Sequence, residues 1–203
     1  ELGLKMSIFS PEHGSLEFHQ TNFVKMAVGK PYWGFGSVNE NDIIRYTEWA
    51  NERIYLTSAE NGEFPTWEWI FEKFKEQVFT FGVNIFVIEA FNKLGFKSER
   101  KDHLRNINEV LTKLTMFAQM HNVTVFLIAH PTKMKKDPNT QEYDVPTLYD
   151  VSGSADFRNQ THDGYCIYRK FETIDNDGYT RFVNLKTKFP FQGVIGGSID
   201  IEY

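Results

Sequence analysis

The sequence lacks the features of secreted, membrane-spanning and generally basic proteins. A single cysteine, Cys166, excludes an intrachain disulfide framework and fits a reducing cytosol. No apolar stretch is long enough to cross a bilayer, and no signal-peptide pattern opens the sequence. The net charge of -5 excludes a generally basic nucleic-acid binder, so any contact with nucleic acid must come from local basic clusters. We therefore expect a cytoplasmic protein with no membrane partner.

The composition is that of a globular domain. Hydrophobic residues make up 41% and aromatic residues 16% of the 203 positions, which is enough to bury a sizeable core. The length predicts a single domain, residues 1–203. Because the sequence opens on Glu1-Leu2-Gly3-Leu4, without Met and close to a predicted strand, we expect a domain taken from a longer protein.

Two apolar runs, each followed by a polar residue, are the strongest functional signal. Val83–Ile88 is followed by Glu89, and Val123–Ala129 is followed by His130. Both runs are predicted to be buried parallel strands that deliver polar groups to one edge of a sheet, as in α/β nucleotide-handling folds. The first resembles a Walker B strand. However, the glycine-rich phosphate loop that normally accompanies it, G-x-x-x-x-G-K-[ST], is absent from the 203 residues.

The remaining periodicity predicts an α/β order that changes near the C-terminal end. Apolar spacing predicts helices at about 16–27, 40–52, 67–81 and 104–118, with Ser37–Glu40 as the capping box of the second. Short strands are predicted at 4–9 and 54–57. Strands at 165–169 and 179–186 flank Asp175–Gly178, a hairpin signal, and a last strand covers 198–203. This order predicts a mostly parallel sheet flanked by helices, with antiparallel strands at the C-terminal end.

Five motifs in a fixed order carry a family resemblance. They are Ile8-Phe9-Ser10-Pro11-Glu12, the strand ending in Glu89, Ile128–Lys133, Tyr149–Asn159 and Leu185–Phe189. Together they resemble the RecA-like helicase domain of the DnaB superfamily, and most of all its Twinkle and phage primase-helicase branch. The resemblance covers nearly the whole chain, and it implies a RecA-like fold.

The resemblance implies a catalytic role for two carboxylates. Glu12 matches the glutamate that activates the attacking water, and Glu89 matches the acid that holds Mg²⁺. The family usually carries Asp at the second position, and Glu is one methylene longer, which disturbs a strict octahedral site. A turn glutamate and a strand that merely ends in an acid are the structural alternatives.

The resemblance also implies roles for cations and a histidine. His130 matches the γ-phosphate sensor, while Lys186 and Lys188 match a basic pair that reaches the nucleotide of a neighbouring subunit. Lys188 stands where the family has an arginine finger, and lysine lacks the bidentate fork of arginine. A hydrogen-bonded structural histidine and the outward face of an exposed strand explain the same residues without catalysis.

Basic clusters follow both apolar runs and predict contact with single-stranded DNA. The family resemblance places these loops in the central channel of a ring. Lysines on a loop suit phosphate tracking, although a solvated charge run is the alternative. The predicted DNA-binding residues are Lys93, Lys97, Arg100, Lys101, Lys133, Lys135, Lys136 and Arg158. Phe91 and Phe96 are candidates for base stacking, with Phe91 favoured as a core residue.

Two functions remain open from the sequence. The first is the helicase (ATPase) domain of a replicative helicase or primase-helicase, which uses ATP and Mg²⁺ to translocate on single-stranded DNA. It would self-associate into a ring, expected to be a hexamer, with a possible primase domain elsewhere in the protein. The second is a degenerate module that does not hydrolyse ATP and binds single-stranded DNA or scaffolds a replication complex. A RecA-fold regulator of the circadian-clock type is a further, less favoured alternative.

Overall fold

The computed structural model describes residues 3–12, 16–59, 65–91, 94, 103–139, 143–151, 154–169 and 180–201. The chain divides into two compact units. The parallel unit comprises residues 1–96 and 117–129, and the antiparallel unit comprises residues 97–116 and 130–203. No helix among the described residues combines the length and hydropathy that a membrane span requires.

The parallel unit contains a four-stranded sheet with helices in the connections. Its strands are β1 (Met6–Phe9), β2 (Ile54–Thr57), β3 (Ile85–Ile88) and β4 (Thr124–Leu127), in the spatial order β2-β1-β3-β4. All neighbouring pairs are parallel, and the last residues of the strands lie in register: Phe9 opposite Thr57 and Ile88, and Ile88 opposite Leu127. The helices between them are α1 (Leu16–Val28), α2 (Glu40–Ala50) and α3 (Trp67–Phe81). The predicted parallel sheet is confirmed.

Helix α3 begins and ends where local signals predict. The hydroxyl of Thr66 accepts a hydrogen bond from the Trp69 N–H at 3.3 Å, which satisfies one of the free donors of the first turn. Gly82 ends the helix in the left-handed region with φ of 69°. The Gly82 N–H donates to the Val78 carbonyl at 3.0 Å. Both signals act within the first and last turns of α3.

Aromatic rings fill the core of the parallel unit. Phe74 and Phe86 are fully buried, with ring centroids 4.3 Å apart. Phe117, from the C-terminal part of helix α4 (His103–His121), meets Phe86 edge to face at 5.8 Å and lies 6.4 Å from Phe74. Edge-to-face and offset pairs of this kind add to the hydrophobic gain. The cluster packs α3 and α4 against β3.

One predicted burial pattern is wrong. The run that forms β4 was expected to be a buried strand, but Phe126 is 48% exposed and Ile128 is 41% exposed. The reason is the position of β4 in the sheet, since its one neighbour among the described strands is β3. A continuous apolar run indicates burial on both faces only when the strand is central.

Two helix details also differ from prediction. The capping box of α2 uses Asn39 and Asp42, not Ser37 and Glu40, because Asn39 occupies the N-cap and exchanges hydrogen bonds of 3.0 and 3.1 Å with Asp42. In α1, the apolar spacing that predicts the helix includes Met26, which is 77% exposed, and does not include Val24, which is buried.

The antiparallel unit contains a short helix and a three-stranded sheet. Helix α5 (Ser154–Gln160) precedes β5 (Gly164–Tyr168), β6 (Thr180–Lys186) and β7 (Ser198–Ile201), which lie in that order. Both pairs are antiparallel, as predicted. The hairpin turn predicted at Asp175–Gly178 lies outside the described residues.

The long connection between β4 and α5 has no helix or strand among its described residues, but two antiparallel bridges organise it. Pro131 pairs with Val151, and Lys136 pairs with Tyr143. The Tyr168 hydroxyl donates to the Tyr143 carbonyl at 3.0 Å, which joins this loop to β5. The loop is therefore fixed to the antiparallel unit at several points.

Candidate nucleotide and DNA site

The parallel sheet brings the segments of both predicted catalytic carboxylates to one edge. Glu89 directly follows β3, and its backbone N–H donates to the Phe9 carbonyl at 2.9 Å. Glu12 lies three residues beyond Phe9 and is exposed, whereas Glu89 is half-buried. Because the carboxyl ends of parallel strands are where α/β folds bind ligands, this edge is the candidate nucleotide site.

The chain after Glu89 turns at once into the core. Ala90 is fully buried and Phe91 is 3% exposed. The Phe91 N–H donates to the Ile128 carbonyl at 2.8 Å, and its ring lies 5.7 Å from that of Trp67. The prediction that Phe91 is a core residue is confirmed. Phe96 lies outside the described residues.

The residues at this edge could bind the Mg²⁺ ion of a magnesium nucleotide but not its phosphates. Among the residues the structure describes, no cluster of three or more His, Cys, Asp or Glu side chains could hold a metal ion. Mg²⁺ bound with a nucleotide commonly uses one or two carboxylates, phosphate oxygens and water, so Glu89 suits the protein side of such a site. The sequence has no G-x-x-x-x-G-K-[ST] loop that would supply a backbone cradle for the phosphates.

The segment after His130 is tied to the fourth motif in the antiparallel unit. Both the N–H and the hydroxyl of Thr132 donate to the Asp150 carbonyl, at 2.6 and 2.9 Å. The bridge between Pro131 and Val151 extends this contact. The structure therefore brings together the third and fourth motifs, which are separated by a long loop in the sequence.

Asp150 has a local structural role. Its carboxylate accepts hydrogen bonds from the Thr147 N–H and hydroxyl, both at 2.7 Å. These bonds favour the ionised form and hold the pKa of Asp150 below its usual value. The result is a closed turn just before α5.

The two predicted trans-acting lysines are both hydrogen-bonded within the antiparallel unit. Lys186 Nζ donates to the carbonyls of Arg158 and Thr161 at 2.5 and 2.6 Å. Lys188 Nζ lies 3.2 Å from His162 Nε2 in an exposed setting. Desolvation and the charge of Arg158 lower the pKa of Lys186, while the charge of Asp163 acts in the opposite direction. Their roles toward a nucleotide stay predictions.

The two predicted DNA-binding loops differ in what the structure describes. Lys133, Lys135 and Lys136 are exposed on the loop after His130. Lys136 Nζ lies 5.2 Å from the centre of the Tyr143 ring. The other basic loop, with Lys93, Lys97, Arg100 and Lys101, lies outside the described residues. Arg158 is half-buried on α5, with its guanidinium 5.3 Å from the centre of the Tyr149 ring.

Two contacts of this region were missed by sequence reasoning. The bonds from Lys186 to α5 join positions 28 and 25 residues apart. Asn108 of α4 donates to Asp156 of α5 at 2.8 Å. No local pattern signals either contact, because a lysine on a strand and an asparagine on a helix are typical of solvent-facing positions.

Comparison with known proteins supports the resemblance drawn from the motifs. The chain is 28% identical over 179 residues to the chloroplastic and mitochondrial Twinkle homolog protein of Arabidopsis thaliana. The match covers 83% of this chain but only 24% of that protein, about a quarter of its length. No protein-family model matches the chain.

Solved structures agree at the level of the fold. A solved ATPase domain superposes with a TM-score of 0.73 at 13% identity. The match covers 97% of this chain and 70% of that one. A DnaB-like replicative helicase, solved in a study of its interactions with primase, gives 0.73 at 14% identity, with 98% and 49% covered. The RadB recombinase gives 0.52 at 14% identity, with 98% and 74% covered. The predicted RecA-like fold and the resemblance to DnaB-superfamily helicases are confirmed.

Proposed function

We propose that this chain, with its RecA-like fold and its similarity to DnaB-superfamily helicases, is part of the motor of a replicative DNA helicase. In the intact protein it would couple ATP hydrolysis to movement on single-stranded DNA. The observation that carries the proposal is the register of the parallel sheet. Glu89 follows the last residue of β3 and donates its N–H to Phe9, the last residue of β1. Glu12 follows Phe9 by three residues. That arrangement supports a rigid pair of acids at a nucleotide edge.

Each residue has a proposed role at that edge. Glu12 would accept the proton of the attacking water, and Glu89 would hold Mg²⁺ through its carboxylate or a bound water. His130 would hydrogen-bond the terminal phosphate. ATP would supply the leaving group, and Mg²⁺ would neutralise the charge of that group. Lys186 and Lys188 would act on a nucleotide bound by a second copy of the chain in a ring.

We propose that polypeptide outside residues 1–203 supplies the phosphate cradle, and β4 offers a place for it. The outer edge of β4 has unpaired backbone groups among the described residues, and alternate side chains such as Phe126 are exposed. Exposed edges of this kind are usually covered in parallel sheets. We therefore propose that a strand leading into a phosphate loop pairs with β4, and that residues 1–203 and that segment form one ATPase domain.

Contact with single-stranded DNA is proposed for the exposed loop lysines and for Arg158. Lys133 and Lys135 extend from a loop whose base is fixed by the bonds of Thr132 to Asp150. A fixed base with exposed cationic ends suits contact with successive phosphates without sequence readout. Association with a primase domain is part of the same proposal, since the DnaB-like helicase of similar fold was studied with primase.

A test should use the intact protein and matched acid-to-amide substitutions. We expect ATP turnover that rises with single-stranded DNA, and a loss of at least about a hundredfold in Glu12→Gln, the size expected for removing a general base. Glu89→Gln should raise the Mg²⁺ concentration that turnover requires, because it removes a charged ligand, and Glu89→Asp should retain activity. Glu72→Gln, on the exposed face of α3, is the control and should leave turnover unchanged. The isolated chain of 203 residues should show no turnover.

A second function has one specific observation in its favour. Lys186, which the helicase proposal assigns to a nucleotide, is held by two carbonyls of its own unit. Together with Glu89 and Lys188, which depart from the family pattern, this supports a module that binds single-stranded DNA without hydrolysing ATP. Turnover at background in an intact protein that carries a phosphate loop and binds DNA would favour this second function over the first.

A further inference from the structure

Lys186 binds the C-terminal end of helix α5, a contact that no sequence pattern predicts. Its side chain extends from the last residue of β6, is half-buried, and donates to two carbonyls of the segment that ends α5. The distances from Nζ are 2.5 Å to the Arg158 oxygen and 2.6 Å to the Thr161 oxygen. An ammonium has three protons, so two of them are used in these bonds.

The two carbonyls are those that a helix leaves without partners. Helix α5 ends at Gln160, and the Thr161 N–H closes its last turn by donating to Phe157 at 3.2 Å. Carbonyls beyond that bond need a donor from outside the helix. A cation is also favoured here because the C-terminal end of a helix carries partial negative charge. Lys186 therefore caps α5 from a neighbouring strand.

The capped turn carries Arg158. Its carbonyl is bound by Lys186, while its guanidinium lies over the ring of Tyr149. The next residues are held as well, because the Thr161 hydroxyl donates to the Asp163 carbonyl at 2.8 Å and the Lys188 N–H contacts the Asp163 carboxylate at 3.4 Å. The direction of the Arg158 side chain thus depends on a turn whose free end is fixed by the ammonium of Lys186.

We propose that Lys186 is a positioning residue for Arg158, so that binding of single-stranded DNA by Arg158 depends on Lys186 although Lys186 itself does not touch the DNA. This inference rests on the proposed function, because it takes Arg158 as a DNA contact. It assigns Lys186 a role within its own subunit, in addition to the trans-acting role that the resemblance implies. The two roles use the same ammonium.

The test is a double-mutant cycle on the intact protein without nucleotide, read as affinity for a fluorescent oligothymidine over a range of salt. Arg158→Gln should lower the affinity about tenfold, as for a lost bond to a charged group. It should also flatten the slope of log affinity against log salt by about 0.7. Lys186→Met should produce the same two changes, and the double variant should lose no more than either single variant.

Further variants separate positioning from charge and from misfolding. Lys186→Arg keeps a charged donor and should restore most of the affinity. Lys113→Met removes an exposed lysine that is paired with Glu109 at 2.6 Å on α4, and it should leave the affinity unchanged. Hydrogen exchange of the 158–161 amides should speed up in Lys186→Met while exchange in β5 stays slow, which shows that the unit remains folded.

The outcomes distinguish a failure of the positioning role of Lys186 from a failure of the proposed DNA binding. Unchanged affinity in Lys186→Met, or losses that add in the double variant, would overturn the positioning role and leave the proposed function standing. Additive losses would mean that Lys186 contacts DNA by itself. Intact wild-type protein that binds no single-stranded DNA would overturn the proposed DNA function and this inference together.

Discussion

The two units of this chain hold their functional residues by different means. In the parallel unit, aromatic packing of Phe74 and Phe117 on Phe86 supports β3, which leads to Glu89. Phe9, at the end of β1, has its ring 5.7 Å from that of Trp69. In the antiparallel unit, hydrogen bonds between side chains and backbone join the segments that carry the predicted cations. The acids are thus on an apolar scaffold and the cations on a polar one.

This difference bears on how each group of residues can be used. A close-packed aromatic core resists displacement, which suits carboxylates that must keep a fixed geometry. A partly exposed ammonium can exchange one hydrogen-bond acceptor for another at a smaller net cost than a core ring can be displaced, because such bonds contribute little net free energy. We therefore expect the cations to change partners during a reaction cycle while the acids stay in place.

The chain contains a separate probe for each unit. All four tryptophans, Trp33, Trp49, Trp67 and Trp69, belong to the parallel unit, so intrinsic fluorescence reports on it. The single cysteine, Cys166, is buried in the antiparallel unit, and burial raises the pKa of its thiol. Its rate of labelling therefore reports on opening of that unit.

The largest expected effect is the loss of one ring from the aromatic core. Phe74→Ala should lower the free energy of unfolding by about 3–5 kcal/mol, because it removes a fully buried ring and leaves a cavity against Phe86. The measurement is urea unfolding followed by tryptophan fluorescence. Met26→Ala, on a side chain of the same unit that is 77% exposed, is the control and should change it by less than about 0.5 kcal/mol. Equal effects of the two substitutions would mean that the aromatic core does not carry the stability of the parallel unit.

The sequence predicts the elements with local signals and fails where distant neighbours decide. The bounds of α3 follow from Thr66 and Gly82, each of which acts within its own turn. The exposure of β4 could not be predicted, because the order of strands in a sheet is set by contacts between distant segments. An apolar run reads the same at an edge as at the centre.

In the candidate site, too, local features could be predicted from the sequence and contacts between distant segments could not. The placement of Glu89 at a strand end could be predicted, since an apolar run followed by an acid is a local pattern. The partners of Lys186 could not, because alternation along β6 explains its position equally well with or without a bond to α5. Motif order alone also could not show that Thr132 pairs with Asp150, because a loop without periodicity separates them.

A smaller effect is expected from the polar links of the antiparallel unit. Thr132→Val keeps the shape of the side chain but removes the hydroxyl that donates to the Asp150 carbonyl at 2.9 Å. The expected loss is about 1 kcal/mol or less, since the backbone N–H of Thr132 still donates to the same oxygen. Labelling of Cys166 should become faster while the fluorescence transition stays in place. Thr80→Val, on the exposed side of α3, is the control, and a shift of fluorescence alone would contradict the assignment of this bond.

The smallest expected effect is a pH dependence confined to the turn before α5. The folded-state pKa of Asp150 is lowered by its bonds to Thr147, so its contribution to stability is present above the unfolded pKa of about 3.9 and is lost as the pH falls through the folded value. Hydrogen exchange of the 147–151 amides, corrected for the intrinsic rate, should therefore show protection that weakens in acid. Asp150→Asn should give low protection that no longer varies with pH over this range. A wild-type turn with constant protection down to about pH 3 would mean that the backbone bonds of Thr132 and Asp150 hold it without the carboxylate, and the carboxylate would then have no part in the polar scaffold of this unit.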